Sequence, residues 1–243
     1  MTEYSASPSG EEIPLPAAED YPAEYRRLES LAAEARREGR EVVVVMGLGF
    51  VGAVMAAIVA DSTDGEGRPT KLVIGCQRPS PRSYWKIGLL NQGVSPIKAE
   101  DPEVEAIIAR CVLEKGTLTA TFDNDCLKLA DCVVVDVQCD YAKQELGNMR
   151  SGETDMAALE ATLRTIGEKI PEQCLVLIET TVAPGTTEFV AWPILKKAFA
   201  ARGLAGTPLL AHSYERVMPG RDYVASIRDF WRCLLYTSDA ADE

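Results

Sequence analysis

An uncharged run, VVVVMGLGFVGAVMAAIVA, extends from Val42 to Ala60 between charged residues on both sides. About twenty apolar residues can cross a bilayer as one helix, so length alone permits a membrane span. Gly47, Gly49 and Gly52 nevertheless divide the run into a β-branched half and a helix-forming half. We therefore interpret it as a buried strand, a turn and a helix, because a membrane span would leave the other strand candidates without a central partner.

Short apolar segments and helical patterns alternate along the chain. The strand candidates are EVVVVM, KLVIGC, LTATF, CVVVDV, CLVLIET and TPLLAHS. The helical patterns that separate them cover residues 50–60, 81–93, 101–116, 153–170 and 186–203. Strands that are nearly continuous apolar segments separated by helices are typical of a parallel sheet covered on both faces. The sequence thus predicts an α/β fold, a doubly wound Rossmann-like parallel sheet of about six strands with helices on both faces.

Charge and cysteine usage narrow the function classes. The 243-residue chain has a formal net charge of −12 and no cluster of lysine and arginine, so we expect neither nucleic acid nor a membrane surface as a partner. Its seven cysteines form no C-x-x-C pair and the single histidine is His212, so no metal site is predicted. Thiols in apolar segments favour a reducing compartment, and we expect the cytoplasm.

Composition also divides the chain into segments. Residues 1–22 are acidic and rich in proline and serine, which predicts a disordered extension without a secretory signal. Residues 23–40 have the pattern of a leading helix, and residues 41–232 form the predicted dinucleotide-binding domain. The last segment, CLLYTSDAADE at 233–243, resembles a translated sequencing adapter. We expect this tail to be non-native and to play no part in the fold.

The pattern G-x-G-x-x-G follows the first strand and opens a helix. In that context Gly47 makes the tight turn, Gly49 lets a pyrophosphate approach the backbone, and Gly52 lets helix and strand pack closely. The helix N-terminus, with Phe50 and Val51, then faces the phosphates. These five residues are the predicted core of the cofactor site.

The residues after the second strand leave the choice of cofactor open. An acid normally binds the adenosine ribose about twenty residues beyond the turn, but Gln77 and Arg78 occupy this place. Gln77 can hydrogen-bond a ribose hydroxyl, whereas Arg78 can pair with a 2′-phosphate or simply point to solvent. NAD is the expected cofactor, with NADP as the open alternative.

Four stretches, MGLGFVG, LLNQGVSPI, LIETTVAPGTTE and SYERVMPGR, occur in this order between Val42 and Arg232. Together they resemble the NAD-binding domain of the nucleotide-sugar dehydrogenases, the UDP-glucose and UDP-N-acetylmannosamine dehydrogenase family. The third stretch is the most specific, because it closely matches the family's S-T-V-x-P-G-T-T turn. The resemblance implies oxidation of a nucleotide-sugar C6 alcohol to a uronic acid in two hydride transfers, a step of polysaccharide biosynthesis, and a homodimer for a full-length protein.

The resemblance also assigns residues. It places Thr181 beside the nicotinamide, where the hydroxyl would position a catalytic water, and Glu215 opposite the reacting carbon. The alternative for both residues is a structural role. Thr181 would hydrogen-bond within its turn, and Glu215 would pair with Arg216 or Arg221. Cys139 stands where the family has a threonine that contacts the cofactor, and Asp140 stands at the following proline. Tyr214 replaces the proline before the glutamate, which indicates a divergent branch of the family.

The family's nucleophilic cysteine lies in a G-G-x-C motif, and nothing after Trp231 matches it. We therefore expect the chain to be the cofactor-binding portion of such an enzyme and to be inactive alone. One alternative is a non-catalytic dinucleotide-sensing module. Another is a dehydrogenase of the 6-phosphogluconate or hydroxyacid type, which would leave ETTVAPGTTE and SYERVMPG unexplained.

Overall fold

The computed structural model describes residues 3–142, 153–214, 217–231 and 234–236. The strands are β1 (Tyr4–Ala6), β2 (Glu12–Pro14), β3 (Glu41–Met46), β4 (Lys71–Cys76), β5 (Leu118–Thr121), β6 (Cys132–Val135), β7 (Asp140–Ala142), β8 (Glu153–Asp155), β9 (Leu175–Ile178), β10 (Leu209–Ser213) and β11 (Leu234–Tyr236). The α-helices are α1 (Tyr21–Arg37), α2 (Phe50–Ala60), α3 (Trp85–Asn91), α4 (Pro102–Ala109), α5 (Ala157–Lys169), α6 (Trp192–Ala201) and α7 (Tyr223–Asp229). Short π-helical turns at Arg110–Glu114 and Thr187–Ala191 adjoin α4 and α6, and Asn124–Leu129 is a 3₁₀-helix.

The central sheet has the strand order β11-β10-β9-β6-β3-β4-β5. All six strands predicted from the sequence are present and parallel, and β11 adds an antiparallel edge. The chain moves outward from β3 to β5, then returns and moves outward in the other direction from β6 to β10. This is the doubly wound order, so the predicted fold class is confirmed and the switch point lies between β3 and β6.

The core has one apolar layer on each face of the sheet. Val42, Val44 and Met46 of β3 pack on the side of α1, α5 and α6, whereas Val43 and Val45 pack on the side of α2, α4 and α7. This alternation explains why β3 is apolar at every position, since a strand buried on both faces has no side that meets water. The uncharged opening run is therefore β3 followed by α2. No helix among the described residues is long and apolar enough to span a membrane.

The N-terminal segment differs from the expected disordered extension. β1 and β2 pair as an antiparallel hairpin, and Ser5 within it is completely buried. The Ser5 hydroxyl donates to the carbonyl of Pro81 at 3.0 Å and accepts from the Trp85 N–H at 3.2 Å. Composition missed this hairpin because hydrogen bonds to a distant loop, rather than apolar side chains, attach it to the domain. The leading helix, expected at 23–40, begins at Tyr21 and ends at Arg37.

The tail also differs from expectation in one respect. The backbone of Leu234–Tyr236 pairs with β10, although the segment was predicted to play no part in the fold. An open sheet edge presents unpaired N–H and C=O groups, so an extended segment can pair there whatever its side chains. Residues 237–243 lie outside the described residues, and the non-native origin of the tail stays a prediction.

Candidate dinucleotide-binding site

The turn after β3 is packed against the end of β6. Gly47 has a φ of +101°, and a Cβ there would lie 2.6 Å from the carbonyl oxygen of Asp136. A Cβ on Gly52 would lie only 2.0 Å from the carbonyl oxygen of Gly47. Real Cβ atoms do not approach backbone oxygens so closely. Side chains at these two positions would therefore force β3, α2 and β6 apart.

Gly49 has a different environment. A Cβ there would meet no atom within 4 Å, and the residue precedes α2 with extended backbone, φ −80° and ψ −161°. No described side chain caps this helix, whose first residues, Phe50 and Val51, line a cleft. Exposed N–H groups at a helix N-terminus attract anions. The open space at Gly49 and the uncapped first turn thus fit the pyrophosphate of a dinucleotide.

The cleft runs along the carboxyl ends of the strands in two adjoining parts. The part near β4 has a volume of about 360 Å³, and the part near β9 has a volume of about 270 Å³. Gly49, Asp136, Val137 and Gln138 line both parts. In doubly wound folds the end of the second strand holds the adenosine ribose. The part near β4 is therefore the adenosine side, and the part near β9 is the nicotinamide side.

Gln77 joins the adenosine side to the glycine turn. Its side-chain oxygen accepts a hydrogen bond of 2.9 Å from the N–H of Leu48. Its amide nitrogen donates to the Ser83 hydroxyl at 3.2 Å, which in turn lies 2.7 Å from the Ser80 hydroxyl. An amide nitrogen carries two hydrogens, so one remains for a ligand. Gln77 therefore lines the cleft and also stabilises the glycine turn through its hydrogen bond to Leu48. Arg78, the next residue, is exposed at the rim of the cleft.

Lys86 is a cleft residue that sequence reasoning missed. It lies in α3, and its ammonium group donates to the carbonyl oxygen of Leu48 at 3.1 Å. Burial lowers the pKa of Lys86 below its ordinary value. The sequence offered only a weak signal, a lysine at the start of the helix that follows the loop after β4, because lysines in a helical pattern usually face solvent.

The nicotinamide side contains two of the predicted residues, Thr181 and Cys139. The neighbouring Thr180 ties β9 to β6, since its hydroxyl lies 3.0 Å from the carbonyl oxygen of Val135 and 2.9 Å from that of Val137. Thr180 is buried, whereas Thr181 is exposed in the cleft. Asp136 and the buried Glu179 also line this side and were not predicted. The strand ends VVVD and LIET carry the signal that could have found them.

Glu215 lies outside the described residues. Farther along the chain, Tyr223 anchors the start of α7 to α2, because its ring stacks on Phe50 with centroids 5.1 Å apart. The Tyr223 hydroxyl also donates to the carbonyl oxygen of Phe50. Asp101, the N-terminal cap of α4, accepts a hydrogen bond of 2.9 Å from the N–H of Val224. Helix α7 is therefore fixed against α2 at the start of the cleft.

The described cysteines other than Cys139 are buried or half-buried and lack the solvent exposure that a reactive thiol needs. Cys76, Cys111, Cys126 and Cys174 are buried free thiols. Burial raises the pKa of Cys111 and of Cys132 to about 11, and that of Cys174 to about 12. A thiol rather than a thiolate predominates at neutral pH in such surroundings. Within the described ranges, no three His, Cys, Asp or Glu side chains are grouped as metal ligands.

A doubly wound parallel sheet with a glycine turn at its switch point defines a dinucleotide-binding Rossmann domain. The chain belongs to the UDP-glucose/GDP-mannose dehydrogenase family, because residues 41–229 match the family's NAD binding domain. Membership of this family makes NAD the cofactor, and the space at Gly49 fits it.

Named relatives agree with this assignment. The chain is 30% identical to the UDP-N-acetyl-D-mannosamine dehydrogenase of Pyrococcus horikoshii over 74% of its own length and 37% of that protein's. Among solved structures, the NDP-N-acetyl-D-galactosaminuronic acid dehydrogenase of Methanosarcina mazei is 34% identical with a TM-score of 0.69, over 85% of this chain and 40% of that one. The GDP-mannose dehydrogenase of Pseudomonas aeruginosa is 26% identical with a TM-score of 0.60, over 76% and 38%. The chain thus spans at most 40% of each of these relatives.

Proposed function

We propose that this chain is the NAD-binding portion of a nucleotide-sugar 6-dehydrogenase, which converts the C6 alcohol of a UDP-sugar to a uronic acid. The observation that carries the proposal is the position of Thr181. It belongs to the turn TTVAPGTT after β9 and lines the same part of the cleft as Gly49 and Cys139. Each of the two oxidation steps would transfer one hydride to an NAD bound in this cleft, so one substrate would consume two NAD in succession. A homodimeric, cytoplasmic full-length protein is part of the same proposal.

Thr181 is suited to act on the reacting oxygen. An exposed hydroxyl at the nicotinamide side can donate a hydrogen bond to a developing oxyanion or hold a water in place. Its backbone is fixed, because Thr180 is bonded to the end of β6. We assign a positioning role to Thr181. To Glu215, which follows β10 in the sequence, we assign the role of a carboxylate that orders or deprotonates a water.

Cys139 lines the nicotinamide side in place of the threonine expected from the family resemblance. A thiol is a weaker hydrogen-bond donor than a hydroxyl, so this contact to the cofactor would be weaker. We do not assign Cys139 as the nucleophile that a two-step oxidation needs for its thioester. No G-G-x-C motif occurs in the 243 residues. The chain alone should therefore bind the dinucleotide without oxidising nucleotide sugars.

Binding and turnover, measured on the same preparation, test this proposal. We expect NADH to bind the purified chain, and NAD with UDP-glucose, UDP-N-acetylmannosamine or GDP-mannose to give no steady production of NADH. Losing a nucleophile and part of the substrate site removes several powers of ten in rate, since positioning alone contributes about 7–11 kcal/mol. Steady turnover that disappears in Cys139→Ser would contradict the assignment and make Cys139 the nucleophile.

A further inference from the structure

The adenosine side of the cleft carries positive charge where an acid usually lies. Arg78 and Lys86 both line this part, and the residue at the end of β4 is the neutral Gln77. An acid at this place hydrogen-bonds the ribose 2′-hydroxyl of NAD and repels a 2′-phosphate, whereas a nearby arginine accommodates the phosphate of NADP. The replacement therefore changes the sign of the local charge.

Lys86 is arranged to meet an anion. Its ammonium group is half-buried, and within the described ranges no carboxylate lies within 4.0 Å of it. Its protein hydrogen-bond partner is the carbonyl oxygen of Leu48 at 3.1 Å, which leaves donors of a three-hydrogen ammonium for a ligand. A partly buried cation without a counter-ion is costly, and a bound phosphate would offset that cost.

The loop between β4 and α3 adds further donors. The Gln77 oxygen accepts from the N–H of Leu48, and its amide nitrogen donates one hydrogen to the Ser83 hydroxyl, which leaves the second hydrogen for a ligand. The Ser80 hydroxyl lies 2.7 Å from that of Ser83. Arg78 is exposed at the rim of the same part of the cleft. Amide, hydroxyl and guanidinium donors are the groups that bind phosphate oxygens.

The N-terminal hairpin holds this loop in place. Ser5 is bonded to Pro81 and Trp85 on the two sides of the loop's turn, and the indole of Trp85 donates to the carbonyl oxygen of Arg82 at 2.9 Å. Fixing a binding loop before the ligand arrives lowers the entropic cost of binding. The hairpin thus gives the loop a defined shape beside the cleft.

We propose that Gln77, Arg78 and Lys86 form a subsite for the 2′-phosphate of NADP(H), so that the chain binds NADPH at least as tightly as NADH. The inference rests on the dinucleotide cleft of the proposed function and deepens it. A phosphate at the ribose would lie among two cations and an amide donor, with no carboxylate at the end of β4 to exclude it.

Fluorescence titrations of the purified chain with NADH and with NADPH test the proposal. We expect the NADPH dissociation constant to be equal to or lower than that of NADH, and NADPH binding to weaken more steeply with salt. Arg78→Ala should lower the ratio of NADPH to NADH affinity about tenfold, the size of one charge-assisted hydrogen bond. Arg82→Ala removes an exposed arginine of the same loop that does not line the cleft, and it should leave the ratio unchanged.

Gln77→Glu provides a second, independent variant. Its carboxylate retains an acceptor for the Leu48 N–H but introduces the negative charge that excludes a phosphate, so we expect at least about a tenfold shift of preference towards NADH. Binding of NADH without binding of NADPH would overturn the subsite and leave the proposed function standing. Binding of neither by a folded sample would overturn both. An Arg78→Ala variant with an unchanged affinity ratio would also contradict the subsite.

Discussion

The N–H of Leu48 donates a hydrogen bond of 2.9 Å to the side-chain oxygen of Gln77, and this bond joins the glycine turn after β3 to the end of β4. The carbonyl oxygen of Leu48 accepts from Lys86 at 3.1 Å. The peptide groups on both sides of Leu48, itself completely buried, are thus held by residues that line the adenosine side. The shape of the cofactor turn therefore depends on the loop after β4.

Removing the hydrogen bond between Leu48 and Gln77 should destabilise the domain. Gln77→Ala leaves the N–H of Leu48 without its acceptor, and an unsatisfied donor of this kind costs about 1–3 kcal/mol. A loss of this size should lower the melting midpoint by about 2–4 °C for each kcal/mol. Gln77→Glu keeps the acceptor and should melt close to the unchanged chain. Thermal unfolding of the three proteins checks the prediction, and equal midpoints for all would show that the bond contributes nothing.

Gly52 and Gly49 should respond to the same substitution in opposite ways. A Cβ on Gly52 would lie 2.0 Å from a backbone oxygen, so Gly52→Ala should lower stability by about 1–3 kcal/mol or more. A Cβ on Gly49 meets nothing within 4 Å, so Gly49→Ala should fold normally and weaken NADH binding about tenfold. Gly65→Ala, in an exposed turn with open space, is the matched control for both measurements.

Urea unfolding gives the stabilities, and NADH fluorescence gives the affinities. A Gly49→Ala variant that unfolds as early as Gly52→Ala would contradict the separate roles of the two glycines. A Gly52→Ala variant as stable as Gly65→Ala would show that α2 moves to accept the methyl group.

Local patterns were sufficient to predict the sheet and the turn. Five of the six parallel strands are short, mostly apolar segments, as strands buried on both faces need to be, and the edge strand β5 alternates apolar residues with threonine. The positions of Gly47, Gly49 and Gly52 follow from the geometry of a strand, a tight turn and a helix. Fold and cofactor turn can therefore be inferred from residues that are near one another in sequence.

Contacts between distant residues could not be predicted. Ser5 attaches the N-terminal hairpin through hydrogen bonds to a loop that is far away in sequence. Lys86 becomes a cleft residue only because α3 brings it to Leu48. Helix α7 spans only Tyr223–Asp229, too short for a periodic pattern, and its place is set by packing on Phe50.

Asp61 should make the free energy of unfolding depend on pH in the acidic range, below about pH 4. It pairs with Arg110 at 2.9 Å and Lys115 at 2.7 Å, and the hydrogen bond from Arg110 is the main cause that lowers the Asp61 pKa from 3.8 to about 2. Because the folded-state pKa is depressed, the stabilisation is complete above about pH 4 and is lost as pH falls towards 2. Asp61→Asn should therefore cost about 1 kcal/mol at pH 7, a modest value because solvent screens the pair.

Urea unfolding at pH 7, 5 and 3 checks this dependence. The difference between the unchanged chain and Asp61→Asn should stay constant from pH 7 to pH 5 and shrink at pH 3. Glu66→Gln, in an exposed surface pair with Arg68, is the control and should show no measurable change. A difference that grows as pH falls would contradict the depressed pKa.

His212 should titrate below the ordinary range of histidine. Burial lowers its pKa from 6.5, and a hydrogen bond with the backbone of Ile178 opposes this only partly. The unfolded chain therefore takes up its proton first, so folding stability should begin to fall as pH decreases through 6.5. Since His212 is the only histidine, its NMR signal can be followed without assignment, and a midpoint at or above 6.5 would contradict the burial. His212→Gln should lack this part of the pH dependence.

Calorimetric titration of NAD and NADH into the purified chain tests the central claim most directly, that the cleft beside the glycine turn binds the dinucleotide. The account predicts saturable binding at one site per chain, and loss of that binding in Gly49→Val, whose side chain would occupy the space beside the backbone where nothing lies within 4 Å. Circular dichroism of both proteins serves as the check that they are folded. Absence of binding to the folded, unchanged chain, or full binding by folded Gly49→Val, would contradict it.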